Sequence, residues 1–222
     1  MAQFPITHWS LIRRSGETPS QRHAAFGQLA QDYRKAILAF FRARIAAADA
    51  EDATQSFLAA SFEQAWWSRA NAETGSFRGF LLMLLHRHLG HLRAKAIWIT
   101  DAAVAIDAIA DQSPSAESQF DTRFALVLTQ QAIKTLRLRY IERARGDLFE
   151  RLLPLLGARP EHGELKQFAD SMQLPPNTLT IELTRLRKRL REQLRAELME
   201  LCADETTLEA EWTALQQVLS GK

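Results

Sequence analysis

The chain has 222 residues, 46% of them hydrophobic and 24% charged, with a formal net charge of +2. That length holds one good-sized domain or two small ones, and that composition excludes a disordered chain. A single cysteine, Cys202, excludes an internal disulfide framework, while the missing leader and apolar span leave a cytoplasmic protein with no membrane partner as the expectation.

Residues 1–20 open with Phe4-Pro5-Ile6-Thr7-His8-Trp9-Ser10 and close on turn-prone residues around Gly16 and Pro19. They read as an arm that tucks Phe4 and Trp9 against a first domain spanning 21–95. From residue 21 to 46, Ala25, Phe26, Leu29, Tyr33, Ile37, Phe40, Phe41 and Ile45 recur at helical spacing. An acidic turn, Asp49-Ala50-Glu51-Asp52, then leads a second helix expected over 49–69, with Asp49 or Asp52 also a candidate N-cap. The paired Trp66 and Trp67 cannot both face one core. After a polar segment with Gly75, residues 77–95 form a third helix that starts apolar and ends basic. Each of these helices has a usable apolar face, which makes a three-helix unit.

Residues 96–121 are small and turn-rich, and read as a linker. A long amphipathic helix is predicted over 122–145, followed by a shorter one over 148–156. Next come a short helix over 164–172, a turn through Gln173-Leu174-Pro175, and a helix from Pro176 or Asn177 to about Leu201. Ala169 inside the first of that pair and Pro176 at a first helical position give the pattern of a helix-turn-helix. Residues 122–203 therefore read as a second domain. Its basic block (Arg185, Arg187, Lys188, Arg189, Arg191, Arg195) has the charge that phosphate binding needs. Residues 204–222 reverse the charge. They read as an acidic amphipathic helix with Leu208, Trp212, Leu215 and Leu219 on its stripe, docked on the second domain beside the arginines. No period-two run of β-branched residues occurs, so the expected class is all-α.

With those residues in place the chain resembles a bacterial RNA polymerase sigma factor of the extracytoplasmic-function (ECF) group, in a subgroup with a Thr-x-Trp-Ser arm, here Thr7-His8-Trp9-Ser10. Asp49 to Gln55 match an Asp-Ala-Glu-Asp-x-Thr-Gln motif, Gly75 to Leu81 match Gly-x-Phe-Arg-x-Phe-Leu, and Gln167 through Arg189 match the helix-turn-helix. The resemblance implies two helical domains joined by a linker: sigma region 2 at 21–95 and sigma region 4 at 122–203. It implies docking of Asp49, Glu51, Asp52 and Gln55 on the clamp helices of core RNA polymerase, and of the second domain on the polymerase flap. Phe77, Arg78, Arg87, His91, Arg93 and Lys95 become the surface that reads and melts the promoter minus-ten element. Thr178, Thr180, Thr184, Arg185 and Lys188 become contacts to the minus-35 element. Gln173 stands where the family's turn has glycine.

The residue chemistry agrees with that assignment. A melted strand needs cations and planar groups for its phosphates and bases, and duplex readout needs a helix that fits the major groove. No nucleophile–base pair, metal-ligand set or phosphate loop is legible, so neither enzymatic activity, metal nor cofactor is expected. His86, His88 and His91 lack the spacing of a helical zinc site. Thr54, one turn from the acidic cluster, is a candidate for a regulatory kinase, set against the plainer reading that its hydroxyl bonds back to its own helix. An anti-sigma protein remains open as a partner. The alternative is a helix-turn-helix repressor or activator that binds duplex DNA without a sigma role, which leaves the acidic turn and the 77–95 helix without a task.

Overall fold

The computed structural model describes residues 18–67, 75–99, 115–157, 164–171 and 175–220, with the side chains of 19, 22, 95–99, 164 and 165 outside that description. Within those residues the protein is all-helical. In order come α1 (Pro19–Arg42), α2 (Ala47–Glu63), α3 (Phe77–Ile99), α4 (Ala116–Glu142), α5 (Gly146–Leu152), a 3-10 turn (Leu153–Leu155), α6 (Glu164–Ser171), α7 (Pro176–Met199) and α8 (Glu205–Ser220). No strand occurs among the described residues; Ser76 and Cys202 form an isolated antiparallel bridge. The Thr7–Ser10 arm, the turn at Gln173 and most of the linker lie outside the described residues.

Local chemistry explains several helix limits. Thr18 and Gln21 form a reciprocal capping box at the start of α1, with Pro19 in the first turn. α2 begins earlier than its acidic turn suggests: Ala46 is the N-cap and Asp49 sits in the first turn, so neither Asp49 nor Asp52 caps it. It also ends earlier, at Glu63. There Ala65 turns left-handed at φ 49°, and its N–H donates to Phe62 O while that of Trp66 donates to Ser61 O. α4 ends the same way at Ala144, φ 54°, whose N–H donates to Ile141 O while that of Arg145 donates to Tyr140 O. Both are Schellman closures made with alanine where glycine is usual. The expected linker is shorter than 96–121, because α3 continues to Ile99 and α4 starts at Ala116. Ala116 and Phe120 are buried there, and no sequence signal of a linker survives such burial.

The chain separates into two compact units: Met1–Val127 with Leu198–Lys222, and Leu128–Glu197. The core of the first is aromatic. Tyr33 stacks on Phe124 and lies beside Phe77, Phe41 meets Phe57, and Trp67 packs against Phe26 and Phe77. Trp67 is the buried member of the tryptophan pair, whereas Trp66 is half-buried against Phe57 and His88. The second unit centres on Leu136, Tyr140, Phe149, Leu152, Ala169, Leu179, Leu183 and Leu186.

One expectation is corrected. α8 does not dock on the second unit; it belongs to the first. Leu201 O accepts from Phe77 N–H and Ala203 N–H donates to Gly75 O, both at 2.9 Å, which stitches the approach to α8 onto the approach to α3. Glu211 then reaches Ser76 and Arg78. An apolar stripe says that a helix docks, but only a buried charge on that stripe tells where.

Candidate functional site

Helix α2 presents three of its four expected docking residues on one face. Asp49, Asp52 and Gln55 are exposed at successive i, i+3 spacings, while Ala50, Ala53, Thr54 and Phe57 are buried on the opposite face. Glu51 is different. Its carboxylate ties α2 to α1 through Arg34 at 2.5 Å and Arg42 at 3.1 Å. Thr54 is fully buried and its hydroxyl donates to Ala50 O at 2.8 Å, the plainer of its two readings.

Helix α3 divides the expected melting residues into two groups. Met83, Arg87 and His91 are exposed at i, i+4, i+8, so they form one stripe. Arg93 is half-buried, and the side chain of Lys95 is not among those described. Phe77 and Arg78 lie elsewhere. Phe77 is 3% exposed and belongs to the core. Arg78 donates through Nε to Glu211 at 2.6 Å and through Nη1 to Asp121 at 2.8 Å. Ser76, which accepts from Gly79 N–H at the head of α3, donates to Glu211 at 2.6 Å. In this conformation Arg78 fastens α3, α4 and α8 together rather than facing outward.

That cluster has two carboxylates for one guanidinium, and its titration follows from the mismatch. At Arg78 burial works against the charged form, but the bonds to Glu211 and Asp121 outweigh it and its pKa is raised. At Asp121 burial wins: the carboxyl is pushed above its ordinary value, Arg78 opposing and Glu211 and Glu117 adding to the rise. Farther along α3, His88 sits among Phe41, Phe57 and Trp66 with Nε2 2.9 Å from Ser56 Oγ. Burial, then the proximity of His91, holds it below the ordinary histidine value. Among the described residues no cluster of His, Cys, Asp and Glu is arranged to hold a metal ion.

On α7 the expected duplex-reading residues are all exposed. Thr178, Thr184, Arg185 and Lys188, joined by Ile181, run along the side opposite buried Leu179, Leu183 and Leu186. The hydroxyls of Thr180 and Thr184 donate to Pro176 O and Thr180 O at 3.0 and 2.8 Å, so each keeps only acceptor capacity for a ligand. The basic block is less free than its sequence suggests. Arg185 pairs with Glu182 at 3.2 Å, Arg187 donates to Leu155 O, and Lys188 lies 3.9 Å from Glu192. Glu182, 7% exposed, also binds Arg145 at 3.0 Å. Its place between Leu179 and Leu186 on the apolar side was the available signal: an acid there needs a cation.

Beyond these, α4 and α7 enclose a cavity of about 240 Å³ lined by Leu136, Arg139, Tyr140, Arg143, Arg189, Glu192, Gln193 and Ala196. Sequence reading had no means of finding it, since its arginines come from two distant helices. No family model matches the chain, and no curated protein or solved structure matches it either.

Proposed function

We propose that this protein is a sigma factor that binds core RNA polymerase and directs promoter-specific initiation, with no chemistry of its own. The observation that carries the reading is the order of three surfaces along one chain. An exposed acidic stripe (Asp49, Asp52, Gln55) is followed by an exposed stripe of Met83, Arg87 and His91. The helix pair α6 and α7, of which α7 displays Thr178, Thr184, Arg185 and Lys188, comes last. The first has the charge to meet basic clamp helices and the second suits an unstacked strand. The third suits the major groove. The motifs from Asp49 to Gln55 and Gly75 to Leu81 support the same reading.

The test is capture of core polymerase by the immobilised chain, followed by run-off transcription from genomic fragments with mapped start sites. Capture with new, discrete starts is the expected result. Duplex binding without polymerase capture would convert the reading to a repressor or activator.

A further inference from the structure

The cavity between α4 and α7 lies wholly within the second unit, and none of the surfaces above uses it. Its wall residues on α4, Leu136, Arg139, Tyr140 and Arg143, follow i, i+3, i+4, i+7. Arg189, Glu192, Gln193 and Ala196 repeat that spacing on α7. Two helical faces therefore meet along a shared groove. Three guanidinium groups point to it against one carboxylate. Glu192 sits exposed beside Lys188 and pairs with none of the three. Among the described residues neither Arg139, Arg143 nor Arg189 has a carboxylate partner.

The third of these arginines is held in place. Arg189 donates through Nη1 to the buried Tyr140 hydroxyl at 2.7 Å, and its guanidinium lies 5.4 Å from the centre of that ring. Gln193 is 7% exposed, and its amide N–H donates to Glu197 at 2.8 Å. That leaves the carboxamide oxygen, the Glu192 carboxylate and the remaining guanidinium N–H groups as the polar lining. Three cations gathered around a groove that holds a single acid leave it net positive, which attracts an anion. Guanidinium forks match phosphate and carboxylate oxygens bidentately, and three of them suit the several negative charges of a diphosphate. At about 240 Å³ the cavity has room for a diphosphate group.

We propose that this groove is a binding site for the diphosphate group of a free, multiply charged phosphate compound, held by Arg139, Arg143 and Arg189. Tyr140 is its positioning residue, acting through Arg189. The proposal does not depend on a sigma role for the chain. Backbone phosphates of duplex DNA share the chemistry, and the experiment separates the two sources.

Inorganic pyrophosphate is titrated into the full-length chain by calorimetry at constant ionic strength, with sulfate as the control anion. The expected result is one site per chain that sulfate does not fill. Arg139→Gln and Arg143→Gln should each weaken it by about tenfold or more, because bonds between charged partners are stronger than neutral ones. Both side chains are exposed, so the substitutions spare the fold; Arg143→Lys, which keeps the charge, should retain part of the affinity. Tyr140→Phe should weaken pyrophosphate binding less than either. Binding of a labelled duplex by the Arg139→Gln, Arg143→Gln double variant should stay at the wild-type level. Equal pyrophosphate binding by wild type and double variant overturns the site. So does wild type that ignores pyrophosphate, whether or not the double variant loses duplex affinity.

Discussion

Glu51 and Asp52 are neighbours in one acidic turn, yet only Glu51 is tied into ion pairs, and charge reversal should have different effects at the two. Glu51 holds Arg34 and Arg42 with all three side chains 36–54% exposed. Pairs this open to solvent are screened, so each contributes about 0.2–1 kcal/mol. Glu51→Lys removes both and places a cation beside two guanidinium groups, for a loss of about 1–3 kcal/mol. At about 2–4 °C per kcal/mol for a unit of this size, melting should fall by roughly 5 °C. Asp52 is exposed, lies beyond the first turn of α2 and has no ion pair among the described residues. Asp52→Lys should therefore change stability by less than about 0.5 kcal/mol. If α2 docks on polymerase, Asp52→Lys nevertheless loses polymerase capture by tenfold or more, about 1.4 kcal/mol. Thermal melts and capture titrations on the same preparations decide. A Asp52→Lys chain that melts several degrees early, or that captures polymerase as wild type does, refutes the division of labour.

Four other outcomes follow from particular contacts. Ala144→Gly should stabilise the chain by about 0.5–1 kcal/mol in urea, since glycine enters the left-handed region without the Cβ penalty; a loss of stability would show that Ala144 is not under strain. Glu211→Ala leaves Ser76 and Arg78 short of an acceptor and should cost about 1–3 kcal/mol, read by the same denaturation. The folded pKa of His88 lies below its ordinary value of 6.5, so its stabilising effect is present above 6.5 and is lost as pH falls from there through the lower folded pKa. The melting temperature of wild type should thus drop on acidification, and that of His88→Gln should drop less; parallel pH profiles would refute it. Burial, with help from Glu211 and Asp204, pushes the Cys202 thiol up to about 12, so iodoacetamide at neutral pH should modify it far more slowly than the unfolded chain.

Much of the fold can be read from residues alone, and the failures share a cause. Helical periodicity located every element from α1 to α8, and Pro176 marked the start of α7 correctly. Ala169, expected where the two short helices pack, is fully buried in the core of the second unit. Helix ends were less legible. The Schellman closures at Ala65 and Ala144 use alanine, which carries no sequence mark of a left-handed turn. Long-range pairing was least legible. Arg78 finds Asp121 and Glu211 far along the chain, and Glu51 finds α1, so charges that look available in sequence are partly occupied in space. Glu211 could have been noticed: it lies between Leu208 and Leu215 at i+3 and i−4, on the face that becomes buried. A carboxylate there announces a cation across the interface without saying which one.

The first unit is built from two stretches of chain with the entire second unit between them. A ribosome delivers α1, α2 and α3 early and α8 last. In the interval Ser76 and Arg78 have no Glu211 to meet, and the backbone of Gly75 and Phe77 has no Leu201 or Ala203 to pair with. The contiguous second unit closes through nearer contacts and has no reason to wait. Nascent chains should therefore carry a finished second unit beside an unfinished first one, open at the head of α3. The seating of α8 is then the step that completes the first unit, and a chaperone or protease that samples the growing polypeptide would find its opportunity at Arg78.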